Sequence, residues 1–217
     1  MKAILFDFDG VLAETLSVHL EAWRVLFRER GLEPDELTLR LNEGAATPAI
    51  ARALCLKAGQ NVTGAEAKTM AGRKNILFRS SRRARPYPGA RAILDRVREL
   101  NLETGLVTGT TRANLDAVLP AEWLEAFDVT IADGDTARGK PAPDPYRIAL
   151  ERLGIESRDG LVIENAPLGI ASAKAAGCFC IALETTLPAG FLRDADVVLK
   201  NHEELLHYLD RISAISR

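Results

Sequence analysis

The stretch Ala3-Ile4-Leu5-Phe6-Asp7-Phe8-Asp9-Gly10-Val11-Leu12 decides how the rest of the chain is read. The unbroken apolar run from Ala3 to Phe6 is what a strand covered on both faces requires. It runs out into two carboxylates two residues apart, and side chains at i and i+2 lean to the same side of a strand. Carboxylates held that close resist ionising together unless a cation sits between them. Such a pair is costly unless it holds a metal ion or does chemistry.

Outward from this stretch, apolar runs recur at 102–108, 129–132, 160–163, 178–183 and 197–199. Most are continuous, as in strands covered by helices on both faces. Helical segments between them carry stop signals, with Gly154 after 145–153 and Gly177 after 168–176. This alternation predicts an α/β fold with a doubly wound parallel sheet. One interval breaks the rhythm. Between about Thr15 and Arg85 only helical pattern is found: His19, Leu20, Trp23, Leu26 and Phe27 fit one stripe, Ile50, Ala53 and Leu54 another, and Met70, Ile76 and Leu77 a third. Pro86-Tyr87-Pro88-Gly89 marks the return. The expected division is a core of 1–14 and 86–217, with a small all-helical insert over 15–85. Hinges are expected near 13–16 and 83–87.

With 217 residues, 47% of them hydrophobic, the chain has ample material for such a core. Its 28 Lys and Arg balance 30 Asp and Glu, a formal net charge of −2, which gives no argument for nucleic-acid or membrane partners. The cluster Arg79, Arg82, Arg83 and Arg85 lacks interleaved aromatics and reads as a solvated helix face. Cys55, Cys178 and Cys180 read as small buried hydrophobes in a reduced protein. No membrane span and no signal peptide is found, so a cytoplasmic monomer is the default expectation.

Polar residues gather at the predicted strand ends, where open α/β sheets bind ligands. Asp7 is placed to attack phosphorus, and Asp9 to move a proton, although an Asp-Gly turn also closes strands in many folds. Thr108-Gly109-Thr110-Thr111 offers a hydroxyl and backbone amides before a helix, or else a helix cap. Lys140, in Gly139-Lys140-Pro141-Ala142-Pro143-Asp144-Pro145, is stiffened by three prolines; its ammonium could neutralise a phosphoryl oxygen and the Asp7 carboxylate together. Glu164, directly after a buried run, suits a hard cation or a helix dipole.

Together these residues resemble the haloacid dehalogenase superfamily, in its phosphatase and β-phosphoglucomutase branch with a helical cap after the first strand. Asp7-Phe8-Asp9-Gly10-Val11, Thr108-Gly109, Lys140 with its prolines, and Glu164-Asn165-Ala166-Pro167-Leu168-Gly169 match its four motifs in order. The resemblance implies Asp7 as nucleophile and Asp9 as general acid/base. It implies Mg²⁺ held by Asp7, Asp9, Glu164 and Asn165, and phosphate bound by Thr108, Gly109 and Lys140. Thr15, His19 and Lys74 would be cap and hinge residues, with His19 and Trp23 equally readable as packing. The family usually offers Glu-Asp or Asp-Asp where this chain has Glu164-Asn165. That departure lowers metal affinity or gives Glu164 the larger share.

A mutase also needs an anchor for a second phosphate, an arginine in the first cap loop. Here that loop reads Leu41-Asn42-Glu43-Gly44-Ala45-Ala46-Thr47, with Arg40 and Arg52 off register. The expectation is therefore a Mg²⁺-dependent phosphomonoester hydrolase acting on a small phosphorylated metabolite, a sugar phosphate or phosphoglycolate, through an aspartyl-phosphate. The alternatives are a β-phosphoglucomutase-like mutase and a catalytically weak phosphate-ester binding protein.

Overall fold

The computed structural model describes residues 1–215. Strand β1 (Ala3–Phe6) is completely buried. After it the chain leaves through β2 (Ala13–Glu14), makes α1 (Leu16–Arg28), α2 (Glu36–Leu41), α3 (Thr47–Lys57) and α4 (Gly64–Ser81), and returns through β3 (Arg85–Pro86). β2 and β3 pair antiparallel, tying the two crossings together. The remaining chain alternates: α5 (Ala90–Glu99), β4 (Glu103–Val107), α6 (Arg112–Asp116), α7 (Ala121–Leu124), β5 (Val129–Ile131), α8 (Asp144–Leu153), β6 (Gly160–Glu164), α9 (Pro167–Ala175), β7 (Phe179–Leu183), β8 (Val197–Leu199) and α10 (His202–Ile215).

Among the described residues six strands form one parallel sheet in the order β5-β4-β1-β6-β7-β8. The period of two along each strand splits the core between two faces. Ile4, Phe6, Ile163 and Ile181 pack under α5 and α10, whereas Leu5, Val162 and Cys180 pack under α8 and α9. Burial on both sides explains why these runs read as continuously apolar. The predicted strands are present, with no end moved by more than one residue. Cys178 falls just outside β7, where its N–H closes α9 onto the Ala173 carbonyl. Cys178 and Cys180 share one face, and all three cysteines are free and buried.

The strand order reverses at β1, which pairs with β4 on one side and β6 on the other. Phe6 lies opposite Leu106 and Ile163, so the residues that follow these three strands emerge side by side. Sheets of this kind bind ligands at such a crevice.

Helices α1 to α4 pack about an apolar cluster of their own that includes Trp23, Phe27, Leu39, Leu54 and Met70. Two details differ from the sequence reading. On α4 the buried stripe is Ala67, Met70, Ala71, Lys74 and Phe78, while Ile76 is 61% exposed. Spacing of three and four residues puts the Lys74 ammonium on the apolar face, where hydropathy alone would not place it. Arg79 is not a solvated side chain: it donates to Asn114 Oδ1, and Asn114 in turn donates to Asn75 and Thr110. Arg82, Arg83 and Arg85 are exposed as expected. No helix among the described residues is long and apolar enough to cross a membrane.

Candidate active site

Asp7 begins where β1 ends, and its N–H still bonds to the Ile163 carbonyl of β6. Its side chain is 1% exposed. Facing it is Lys140, whose ammonium donates to Asp7 Oδ1 at 2.6 Å, Glu164 Oε1 at 2.6 Å and the Val107 carbonyl at 2.9 Å. An ammonium has three donors, and here all three are used. One lysine thus fastens the ends of β1, β4 and β6. Burial works against its charge, but Asp7 and Glu164 outweigh it and hold the Lys140 pKa above the ordinary lysine value.

That arrangement bears on two residues. Lys140, expected to neutralise a phosphoryl oxygen and the Asp7 carboxylate together, meets Asp7 and spends its other two donors on Glu164 and the Val107 carbonyl. Glu164, expected to hold metal, accepts from Lys140 and from the Tyr146 hydroxyl on Oε1, and from the Asn165 N–H on Oε2. Nothing in the sequence singles out Tyr146, which reads as a core aromatic of α8.

Asp9 lines a narrow cleft, partly open to solvent, between the strand ends and the four-helix insert. Thr15 donates to Asp9 Oδ1 at 2.7 Å, and His19 Nε2 lies 2.9 Å from the same oxygen. Burial and Lys74 hold the His19 pKa below its usual value, so the neutral ring meets the carboxylate with its Nε2–H. Burial raises the proton affinity of Asp9, yet His19 and Thr15 overcome it and keep the carboxyl below the usual range. Thr15 and His19 stand at the start of α1, so the insert's first helix holds the second aspartate. Lys74 lines the same cleft from α4, and burial pulls its pKa down to about 8.

Thr108 sits at the end of β4, its Oγ1 accepting from the Thr110 N–H. Thr111 occupies the position before the five-residue α6 without making a capping hydrogen bond. Gly109 is pressed by the insert: a Cβ there would lie 2.2 Å from the Gly44 carbonyl oxygen and 2.9 Å from that of Ala45. Only a residue without a side chain lets the loop after α2 come so near. Gly10, at φ +80°, likewise has no room for a Cβ against the Asn165 amide.

The same loop brings in a residue the sequence reading passed over. Glu43 is 5% exposed, and its Oε2 accepts from Asn165 Nδ2 at 3.0 Å. The other Asn165 donor goes to Thr186. Burial first, then Asp9 and Asp7, push the Glu43 carboxyl well above the usual range. The only signal in the sequence was an acid in one loop and a missing acid at 165.

The site holds four buried carboxyl groups, Asp7, Asp9, Glu43 and Glu164, against two buried ammoniums, Lys74 and Lys140. Asp7 Oδ2, Glu43 Oε1 and Asn165 Oδ1 are buried with no hydrogen-bond partner among the described residues. Burial, with Glu164 and Asp9 adding like charge, drives Asp7 up to about 8 in spite of Lys140. An excess of negative charge and orphaned hard oxygens fits a divalent oxygen-seeking cation such as Mg²⁺. No group of three His, Cys, Asp or Glu among the described residues is placed to hold a metal, so such an ion would draw on other oxygens as well, and the unpartnered Asn165 Oδ1 is one on offer.

A family model described as haloacid dehalogenase-like hydrolase matches residues 1–177. The validoxylamine A 7'-phosphate phosphatase of Streptomyces hygroscopicus subsp. limoneus is 35% identical over 206 residues, covering 94% of this chain and 95% of that one. The β-phosphoglucomutase of Mycobacterium bovis is 30% identical over 243 residues, covering 95% and 92%. In fold, the crystal structure of β-phosphoglucomutase from Clostridium difficile superposes with a TM-score of 0.85 over all of both chains, at 22% identity.

Replacing Gly109 with alanine is expected to lift the 42–46 loop off the strand ends, since neither backbone can yield by a rotamer change. The expected reading is faster amide hydrogen exchange confined to that loop and a stability loss of about 1–3 kcal/mol in urea unfolding. Exchange unchanged from wild type would contradict the contact.

Proposed function

Because the chain belongs to the haloacid dehalogenase-like hydrolases, we propose that it hydrolyses the phosphomonoester of a small metabolite through a phosphorylated Asp7. The observation that carries this reading is Asp7 held against Lys140 at the switch point of the sheet, with Asp9 beside it in a cleft. In the first step an Asp7 oxygen forms a bond to phosphorus, and the bond from phosphorus to the substrate alkoxide breaks. Asp9 delivers a proton to that leaving oxygen. The arriving phosphate sets like charge beside Asp9 and raises its proton affinity, which makes this delivery possible. In the second step water attacks phosphorus, Asp9 takes its proton, and the bond to Asp7 breaks to release inorganic phosphate.

Lys140 keeps Asp7 paired through the cycle, and Glu164 with Tyr146 keeps Lys140 in place. Thr108 and the Gly109 amide are the groups left for the phosphoryl oxygens. Mg²⁺, held by Asp7, the backbone oxygen of Asp9 and Asn165, would offset phosphoryl charge as it develops. We take 15–85 as a cap whose closure seats Thr15 and His19 on Asp9, so the proton carrier is positioned only when the cleft is covered.

Hydrolysis is preferred to mutase chemistry for a charge reason. Where a mutase would need a cation for a second phosphate, the loop after α2 presents Glu43, an acid turned into the site. The cation supplied to the cleft by the insert is Lys74. Lys74 suits an anionic or hydroxyl-rich part of the leaving group, which points to a small phosphorylated metabolite such as a sugar phosphate.

With p-nitrophenyl phosphate, turnover is expected to require Mg²⁺ and to stop with excess EDTA. Asp7→Asn is expected to lower kcat by about 10³-fold or more, and Asp9→Asn by about 10²–10⁴-fold. Turnover by Asp7→Asn at the wild-type rate would remove Asp7 from the chemistry. No Mg²⁺-dependent turnover by the intact chain would favour a phosphate-ester binding protein.

Lys74 makes a separate pH prediction. Its charge is lost as pH rises through about 8, so KM for a metabolite with a second anionic group should climb above that pH. Lys74→Met should raise KM about 10-fold or more at pH 7 and flatten the climb. The sign for stability is opposite. Between about 8 and the ordinary 10.5 the unfolded chain binds the Lys74 proton and the folded chain does not, so this group's contribution rises with pH. KM for the same substrate unchanged in Lys74→Met would exclude the contact.

A further inference from the structure

Position 165 carries an amide where this site needs charge, and the missing carboxylate is not absent from the fold. It arrives from the insert. Glu43 lies on the loop after α2, far from Asn165 in sequence, yet bonds to its side chain at 3.0 Å. The NH₂ end of Asn165 faces Glu43, and an ionised Glu43, which can only accept, holds the amide that way round. Thr186 takes the second N–H, and the Asn165 carbonyl oxygen is left turned away from both, buried and without a partner among the described residues. Glu43 itself has one oxygen engaged and Oε1 unpartnered, in a side chain 5% exposed. It shares the cleft with Asp9. A carboxylate this deep, with half its accepting capacity unused, is costly unless something positive meets it.

Resting on the phosphatase reading and its divalent ion, we propose that Glu43 supplies the carboxylate that position 165 lacks and turns the Asn165 oxygen onto the cation. Metal binding and closure of the insert then become one event. The usual arrangement of such a site would keep its charge wholly on the core, where an ion could bind with the insert open. Here the charge is divided between core and insert. An ion that binds the closed form better shifts the population toward it, and closure raises ion affinity by the same factor. The Gly44 carbonyl lying against the Gly109 position, one residue beyond Glu43, is the contact that brings the acid home.

The test is Mg²⁺ titration by calorimetry on the full chain, its Glu43→Gln variant, and the double variant Glu43→Gln with Asn165→Asp. The double variant exchanges amide and carboxylate across one hydrogen bond and restores the charge. Glu43→Gln is expected to weaken Mg²⁺ binding about 10–100-fold, and the double variant to regain most of that loss. In the wild type, Mg²⁺ is expected to slow amide hydrogen exchange over residues 42–46. Affinity unchanged in Glu43→Gln would overturn the proposal. So would weakened binding that the double variant does not regain, for Glu43 would then act only by holding its loop. Mg²⁺ binding by the wild type without slower exchange would overturn the link to closure. If Glu43→Gln does not fold, wild-type affinity in the double variant supports the proposal and lost affinity refutes it. A wild-type chain that binds no Mg²⁺ would instead bring down the phosphatase reading, and this inference with it.

Discussion

A lysine ammonium buried at 1% side-chain exposure between two carboxylates is the constraint on which this site turns. Taking one such charge out of water costs several kcal/mol, and leaving its partners unpaired costs as much again. The ammonium is held because Asp7, Glu164 and the Val107 carbonyl all lie within 2.9 Å. Those three groups end β1, β6 and β4, which are neighbours only in a parallel sheet whose order reverses at β1. The fold and the charge arrangement therefore specify each other. Replacing Lys140 alone would leave Asp7 and Glu164 buried side by side with no counter-charge.

Beyond that pair the site is unbalanced: carboxyl groups outnumber ammoniums, and Asp7 Oδ2, Glu43 Oε1 and Asn165 Oδ1 are buried without a partner among the described residues. The imbalance is spread over both parts of the molecule. Thr15 and His19 fix Asp9 from α1, Lys74 enters from α4, and Glu43 descends from the loop after α2. All four are buried in the structure. Chemistry on phosphorus benefits from such an enclosure, because electrostatic contacts gain strength as water leaves.

How much of this could be read from the sequence depended on whether the signal was local. The sheet was legible because strands covered on both faces are written as unbroken apolar runs, and β1, β6 and β7 are of that kind. The positions of Asp7, Asp9, Thr108, Lys140 and Glu164 followed, since each sits at a strand end or in a proline-stiffened loop. What failed was pairing across distance. Nothing near Glu164 announces that Tyr146 and Lys140 will occupy it, and nothing near Glu43 points to Asn165. On α4 apolarity alone misplaces the stripe, because Ile76 is apolar yet exposed, while Lys74 is charged yet buried. The β2–β3 pair is two residues long on each side, too short for any periodicity to show.

The phosphoryl group passing through Asp7 is the claim from which the roles of Lys140, Asp9 and the divided cation site all descend. Its most direct test is a single-turnover reaction with phosphate-labelled substrate, quenched in acid and mapped by peptide mass spectrometry. A transient, hydroxylamine-sensitive phosphoryl adduct on Asp7 is expected to form before inorganic phosphate is released. An adduct on another residue, or phosphate appearing from the first instant with none on the protein, would contradict it.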